Sequence, residues 1–138
     1  MEVEDDHVMA ARRLLAAIET GDEAALRDIY AQEAVQVEHP NRLKLKGDRR
    51  QTDKMMADLK RGKALLREEH YDVLEATAAG DVVALQVRWT GVVNVPVGAL
   101  QPGDKMICES GIFLRFQGDR VVEQHNYDCF EDYLTPRG

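Results

Sequence analysis

The sequence lacks the features that mark several common classes of protein. It has only two cysteines, Cys108 and Cys129, and no CxxC pair. Neither a disulfide framework nor a cysteine metal site is therefore predicted, and both residues are expected to be free thiols. The start, MEVEDDHVMAARR, is acidic and has no long apolar run, so neither a secretory signal nor a membrane span is predicted. We expect a cytoplasmic protein.

Motifs for cofactor-dependent chemistry are also missing. There is no glycine-rich phosphate loop and no GxSxG motif, so nucleotide-dependent and serine-hydrolase chemistry lose their usual support. The four histidines share no HxH, HxxxH or HExxH spacing, the patterns that place imidazoles around one metal ion. We expect neither a metal nor another cofactor.

Positive charge is scarce as well. The chain has 18 Lys and Arg residues against 25 Asp and Glu residues, a net charge of -7, which opposes binding to nucleic acids and to anionic lipid surfaces. Its one basic run, within residues 49–63, alternates with aspartates and methionines, as on the hydrated side of an amphipathic helix. We predict no nucleic-acid and no membrane partner. The length of 138 residues, with 44% apolar residues, predicts one globular domain over 1–138.

The first half of the chain has the apolar spacing of helices. This spacing predicts a first helix that ends at Gly21, a second that Asp22 caps, and a third between residues 47–48 and Gly62, with Met55 facing inward. Between the last two, AVQVEHP alternates as a strand, and RLKLK alternates as a short exposed strand.

From residue 64 onward the apolar period becomes two. Turn signals at residues 80–81, 102–104 and 118–119 divide this half into long strands that follow one another as an antiparallel meander. Because the helices come first and the long strands follow, the pattern predicts an α+β fold with the helices laid on one face of a sheet.

The final hairpin allows two registers. A two-residue turn at 118–119 sets Ile112 opposite His125, whereas a three-residue loop sets Ile112 opposite Asn126. The sequence leaves this choice open, and with it the strand face that reaches the interior. For Asp128, either a solvated carboxylate at the end of the sheet or a general acid/base fits the pattern. For His39, the alternatives are a histidine held by a backbone carbonyl and a functional group.

Three stretches of the chain resemble a known superfamily. They are ETGDEAALRDIYAQEAVQVEHP, GDVVALQVRWTG and GIFLRFQGDRVVEQHNYD, and the likeness runs from about residue 7 to residue 131. The chain resembles the nuclear transport factor 2-like (NTF2-like) superfamily, and within it the SnoaL-like polyketide cyclases and the ketosteroid isomerase-like proteins. The resemblance implies three N-terminal helices packed in the concavity of a strongly curved antiparallel sheet, forming a cone-shaped, cystatin-like barrel with one pocket. It also implies a homodimer formed through the outer faces of the sheet.

The resemblance also implies functional residues. Asp128 matches the cyclase-type general acid/base near the end of the last strand. His39, in VEHP, matches the place where the isomerases keep the aspartate base of VEDP, and it would supply a second catalytic group. The residues expected to contact the ligand are Tyr30, Met55, Leu59, Leu85, Val87, Trp89, Ile112, Leu114 and Asn126.

Two departures from the isomerase pattern bear on the substrate. Ile112 stands where the acidic donor of the isomerases would be, and the first helix has no tyrosine. We therefore expect an apolar or polycyclic carbonyl compound as ligand. The predicted function is a general acid/base enzyme of polyketide cyclase or isomerase type that uses no metal. The alternative is a non-catalytic ligand-binding or dimer-scaffold module.

Overall fold

The computed structural model describes residues 2–136. Three helices and six strands make up the fold. They are α1 (Glu2–Thr20), α2 (Glu23–Ile29), β1 (Tyr30–Glu38), β2 (Asp48–Gln51), α3 (Thr52–Leu65), β3 (Leu66–Ala79), β4 (Val82–Val93), β5 (Lys105–Gln117) and β6 (Arg120–Phe130). The predicted α+β class is confirmed. None of the helices within the described residues is long and apolar enough to cross a bilayer.

A tight corner joins α1 to α2 as predicted. Gly21 has a φ of 69°, a conformation open to glycine because it has no Cβ, and its N–H donates to the carbonyl of Ile18 at 3.1 Å. The Asp22 side chain then accepts from the N–H of Ala25 at 3.1 Å and so caps α2. Since α2 runs directly into β1, this corner fixes where Tyr30 enters the sheet.

The segment RLKLK is a loop, and the prediction of a strand there is wrong. The side-chain oxygen of Asn41 accepts from the N–H groups of Leu43 and Lys44, both at 2.9 Å, which folds the backbone into a turn before it can pair as a strand. The strand comes later, as β2, and α3 accordingly begins at Thr52 rather than at Gly47.

The six strands form one open sheet in the order β2-β1-β6-β5-β4-β3. From β3 to β6 each strand pairs antiparallel with the next, which confirms the predicted meander. The prediction of an entirely antiparallel sheet is wrong, because β1 pairs parallel with β6. A parallel pair needs a long connection between its strands, and here the connection is all of the chain between them.

The final hairpin combines the turn of one predicted register with the pairing of the other. Gln117 pairs with Arg120 and Phe116 with Val121, which leaves a two-residue turn at 118–119. A β-bulge in β6 then adds one residue, so that Arg115 pairs with Glu123 and, further along, Ile112 pairs with Asn126. The bulge therefore decides which side chains of β6 face the helices.

Helices and sheet share one hydrophobic core. Its fully buried members come from α1, α2 and the strands, among them Leu14, Leu26, Leu114 and Phe116. Both cysteines are free thiols, as predicted, and the pairing of Cys108 with Phe130 rather than with Cys129 keeps the two sulfurs on opposite faces. Cys108 is buried and Cys129 is exposed.

Candidate functional site

A cavity of about 370 Å³ lies between the helices and the sheet. Every helix and every strand contributes side chains to its wall, and most of them are apolar. A volume of this size suits a small organic ligand. Seven of the predicted site residues line it: Tyr30, Met55, Leu59, Trp89, Ile112, Asn126 and Asp128.

Three residues that were predicted to contact the ligand lie in the hydrophobic core instead of the cavity wall. Leu85 is 3% exposed, and Val87 and Leu114 are fully buried. They face the same side of the sheet as the cavity, but they pack into the hydrophobic cluster that also contains the buried face of α1. Strand alternation gives the face of a residue but not what covers it.

His39 lies on the other face of the sheet and does not meet Asp128. Its Nε2 is 2.9 Å from Nδ1 of His125, and its ring stacks on Tyr127 with ring centroids 4.0 Å apart. Successive side chains of β6 alternate between faces, so His125 and Tyr127 point away from the side on which Asn126 and Asp128 line the cavity.

Asp128 is a half-buried carboxyl group in the cavity wall. Burial raises its pKa above the ordinary range, because removal of water disfavours the charged form. A hydrogen bond from the Ser110 hydroxyl opposes this rise, the nearby charge of Glu38 adds to it, and Arg50 lowers it slightly. The net direction is upward, which brings the basicity of this carboxylate closer to what proton transfer at neutral pH requires.

Ser110 can serve both protonation states of Asp128. Its Oγ contacts Oδ1 of Asp128 and also lies 3.4 Å from the carbonyl oxygen of Tyr127. The hydroxyl can donate to the carboxylate when it is charged, or turn to the backbone carbonyl and accept from the carboxylic acid when it is protonated. A carboxyl group that gains and loses a proton thus keeps a hydrogen bond in each state.

A chain of hydrogen bonds runs beside Asp128. The Tyr30 hydroxyl donates to Oε1 of Gln124, and Nε2 of Gln124 donates to Oδ1 of Asn126 at 2.8 Å. Tyr30 is 3% exposed, and burial raises its pKa well above the ordinary range, so the hydroxyl keeps its proton at neutral pH. The chain joins the start of β1 to the cavity side of β6.

A buried charge cluster, which the sequence pattern did not predict, forms another part of the wall. Arg50 donates from Nε to Oε1 of Gln36 at 2.7 Å, from Nη1 to Asp58 at 2.8 Å, and from Nη2 to Glu38. Its side chain is only 11% exposed, whereas the sequence analysis placed it on a hydrated surface with Arg49. The alternation of a strand would have separated the two arginines, had β2 been recognised there.

The other end of the cavity is aromatic, with one paired carboxylate. The indole Nε1 of Trp89 donates to Glu69 at 3.0 Å, and Lys63 Nζ lies 2.8 Å from the same carboxylate. Tyr71 lies on the same wall, and burial raises its pKa well above the ordinary range. The alternation in EEHYDV, which puts Glu69 and Tyr71 on one face, was the signal that could have identified both residues.

No cluster of three or more His, Cys, Asp or Glu side chains within residues 2–136 is arranged to hold a metal ion. The charged residues of the cavity pair with one another instead, as Arg50 does with Glu38 and Asp58, and Lys63 with Glu69. Asp128 is the carboxyl group of the wall that has a hydroxyl rather than a cation as its partner, and neutral amides lie beside it.

Solved structures share this fold at low sequence identity. IdmH of Streptomyces antibioticus, a candidate polyketide cyclase, superposes with a TM-score of 0.76 at 20% identity, covering 88% of this chain and 91% of that one. A protein of ketosteroid isomerase-like fold from Catenulispora acidiphila gives 0.70 at 18% identity, covering 86% and 83%. An epoxide hydrolase of Mycobacterium tuberculosis, of the LEH-like type, gives 0.69 at 14% identity, covering 93% and 84%. Such likenesses show the fold alone.

Comparison with curated proteins found no match. The family model of the SnoaL-like domain matches residues 11–124, which include the whole of the sheet up to Gln124 and all three helices except the start of α1. This match confirms the resemblance drawn from the sequence. The chain belongs to the SnoaL-like domain family.

Proposed function

We propose that this protein is a general acid/base enzyme of polyketide cyclase or isomerase type that acts on a mostly apolar carbonyl compound. The observation that carries the proposal is the state of Asp128, a carboxyl group whose pKa is raised by burial in the wall of a cavity with largely apolar sides. A base of this kind suits removal of a proton from a carbon next to a carbonyl group.

The proposed step needs one group that moves a proton. Asp128, as the carboxylate, takes the proton from the α-carbon, and the electron pair of the broken C–H bond moves into the carbonyl group to give an enolate. In a β,γ-unsaturated ketone, the resulting carboxylic acid can return the proton to the γ-carbon of the dienolate, which is isomerisation. Alternatively, the enolate carbon can attack a second carbonyl carbon, whose oxygen then takes the proton from Asp128, which is cyclisation. Ser110 keeps a hydrogen bond to the carboxyl group before and after the transfer. His39 has no part in this step because its ring lies on the opposite face of the sheet.

The first test uses 2-tetralone, an apolar ketone with acidic α-hydrogens that is small enough for the cavity. Exchange of its α-hydrogens in heavy water, followed by proton NMR, reports enolisation without requiring the natural substrate. We expect the protein to raise the exchange rate above that of buffer, and Asp128→Asn to abolish the increase, because an amide cannot accept the proton.

A matched variant separates this effect from a general loss of charge. Asp119→Asn makes the same change in the exposed turn at 118–119 and should exchange 2-tetralone at the wild-type rate. Equal rates for Asp128→Asn and the wild type would refute the role of Asp128. If 2-tetralone binds but neither protein accelerates exchange, the alternative of a non-catalytic ligand-binding module gains the support.

We further propose a homodimer formed through the outer faces of β5 and β6. Phe113 and Tyr127 lie there side by side, 44% and 47% exposed, with their rings edge to face at 5.8 Å between centroids. Large aromatic side chains exposed as a pair are typical of interface residues.

A further inference from the structure

Three primary amides line the cavity, those of Gln36, Gln124 and Asn126. In Gln36 and Asn126, the hydrogen bonds already made decide which end of the amide is free. The first is Gln36, whose Oε1 accepts from Nε of Arg50 at 2.7 Å. An arginine side chain can only donate, so the oxygen of Gln36 must face it. No acceptor among residues 2–136 takes up Nε2 of Gln36, which leaves its NH2 group as an unused donor in a side chain that is 8% exposed.

The second amide is Asn126, and Tyr30 determines its orientation. The buried hydroxyl of Tyr30 has Oε1 of Gln124 as its acceptor, and turning the Gln124 amide round would leave the proton of that hydroxyl without one. With its oxygen toward Tyr30, Gln124 donates from Nε2 to Oδ1 of Asn126. The oxygen of Asn126 is thereby used, and its NH2 group is the free end.

The two free NH2 groups belong to neighbouring positions on one face of the sheet. In the parallel pairing of β1 with β6, Gln36 stands opposite Gln124, and Glu38 stands opposite Asn126. Gln36 and Asn126 are therefore diagonal neighbours, roughly 7–8 Å apart along such a face. Amide side chains are long enough for both donors to reach one oxygen atom between them.

The carboxylates of this wall already accept hydrogen bonds from the protein, and the second oxygen of Asp128 is left for the proton that it would take. Glu38 and Asp58 accept from Arg50, and Asp128 accepts from Ser110. We infer that the cavity selects a ligand by an oxygen that only accepts hydrogen bonds, a ketone carbonyl or its enolate, held between the NH2 groups of Gln36 and Asn126. This inference rests on the proposed function, because it names how that same site would hold its carbonyl compound.

Tyr30, Gln124 and Arg50 act here as positioning residues. Arg50 orients the amide of Gln36, Tyr30 that of Gln124, and Gln124 that of Asn126, in each case by donating a hydrogen bond to the amide oxygen. None of the three needs to touch the ligand. Donors aimed in advance at the ligand oxygen strengthen their hydrogen bonds as charge develops on it during enolate formation. Asp128, on the same face two residues after Asn126, would then take the proton.

Binding of two probes that differ only in the oxygen tests this inference. 2-Tetralone carries the carbonyl group, and tetralin is the same bicyclic skeleton without it. Trp89 is the only tryptophan in the chain and lines the cavity, so its fluorescence reports binding of both. We expect Asn126→Leu to weaken binding of 2-tetralone roughly three- to tenfold, the value of one neutral hydrogen bond, and to leave tetralin unchanged.

Further variants separate positioning from folding. Gln36→Met keeps the length of the side chain but removes the donor, and it should reduce the preference for 2-tetralone in the same way, which keeps the inference testable if Asn126→Leu does not fold. Tyr30→Phe should also reduce the preference, by releasing Gln124 to turn round. Asn94→Leu and Tyr133→Phe make matched changes at residues outside the cavity wall and should leave the preference as it is.

The carbonyl stretching frequency provides a readout that a structural role alone would not change. 2-Tetralone labelled with carbon-13 at the carbonyl should absorb at lower frequency in the wild-type cavity than in hexane, and Asn126→Leu should return part of that shift. Equal losses of affinity for ketone and hydrocarbon, an unshifted carbonyl band, or failure of 2-tetralone to bind would each overturn the inference. A shifted band without hydrogen exchange would instead refute the proposed catalysis and leave the recognition of the carbonyl group standing.

Discussion

The two faces of β6 carry similar side chains in opposite electrostatic conditions. On the cavity side, burial raises the pKa of Asp128. On the outer side, a hydrogen bond from His125 lowers the pKa of Glu123, which is 44% exposed. Each face also has a short chain of hydrogen bonds, but the inner one joins neutral amides to a buried hydroxyl, and the outer one joins a carboxylate to two imidazoles. Solvent and partners, rather than residue type, determine which carboxyl group is suited to proton transfer.

The largest effect should come from replacing Arg50, whose positive charge offsets the negative charges of two carboxylates on the inner face. Arg50→Met would remove the shared partner of Glu38 and Asp58, both about 15% exposed. Lys44 still pairs with Glu38, and Lys54 and Arg61 with Asp58, so we expect a loss of about 3 kcal/mol in the free energy of unfolding, the lower end for a broken buried pair. Arg49→Met removes the neighbouring exposed arginine and should change that free energy by no more than about 0.5 kcal/mol. Urea denaturation measures both, and similar losses for the two variants would show that burial does not separate them.

The next largest effect should be on the proposed association of two copies through the outer face of β5 and β6. If two copies meet there, light scattering at micromolar concentration should give the mass of a dimer, and Phe113→Lys should weaken the association by about 2 kcal/mol or more, as for an aromatic residue at the centre of an interface. Leu74→Lys places the same charge at a residue of β3 that is 50% exposed and should not change the mass. A monomeric wild type would refute the dimer and would leave the outer aromatic pair facing solvent.

The smallest effects are the opposite pH dependences of the two carboxyl groups. The folded-state pKa of Asp128 lies above its unfolded value, so the folded protein binds the proton more tightly and stability falls as pH rises above about 3.9, the ordinary aspartate value. The folded-state pKa of Glu123 is depressed, so its contribution is present above the ordinary glutamate value and is lost as pH falls through the folded pKa.

Two amide variants measure these slopes. Relative to the wild type, Asp128→Asn should gain stability as pH rises from about 3 to 6 and Glu123→Gln should lose it, the latter by less because Glu123 is half exposed and solvent screens its interactions. Urea unfolding at a series of pH values provides the comparison. Slopes of the same sign would mean that the two faces do not differ as their burial indicates.

The sequence predicted the parts of this fold that depend on local patterns. The meander from β3 to β6 and the corner at Gly21 follow from spacing and turn residues, whose effects act over a few positions. The parallel pairing of β1 with β6 could not be predicted in this way, because it joins two strands that lie far apart in the sequence. RLKLK has the alternation of a strand, but Asn41 makes local hydrogen bonds that outweigh it.

The sequence predicted which side chains could belong to the site, but not which of them tertiary packing would turn into the cavity. Asp128 and Asn126 were identified as candidates, but only the bulge settled that they face the cavity. The buried Arg50 could be distinguished from the exposed Arg49 only by recognising β2, and nothing in the alternation of β4 shows that Leu85 packs into the core while Trp89 lines the cavity. Such differences arise when separate elements meet, so they have no signature within one segment.

The bulge in β6 determines which face of the sheet each later side chain of that strand points to. Val121 and Gln124 both point inward although they are three positions apart, because Val122 is the extra residue of the bulge and shifts the alternation by one position. Without the bulge, a strand of the same length would alternate unbroken from Val121, so that His125 and Tyr127 would enter the cavity and Asp128 would face the outside. Deletion of Val122, the unpaired residue, would instead remove the bulge and leave Asn126 and Asp128 on the cavity side. A shift of one residue in pairing, with no change in the chemistry of any side chain, thus decides whether this scaffold presents a carboxylate or an imidazole to its cavity.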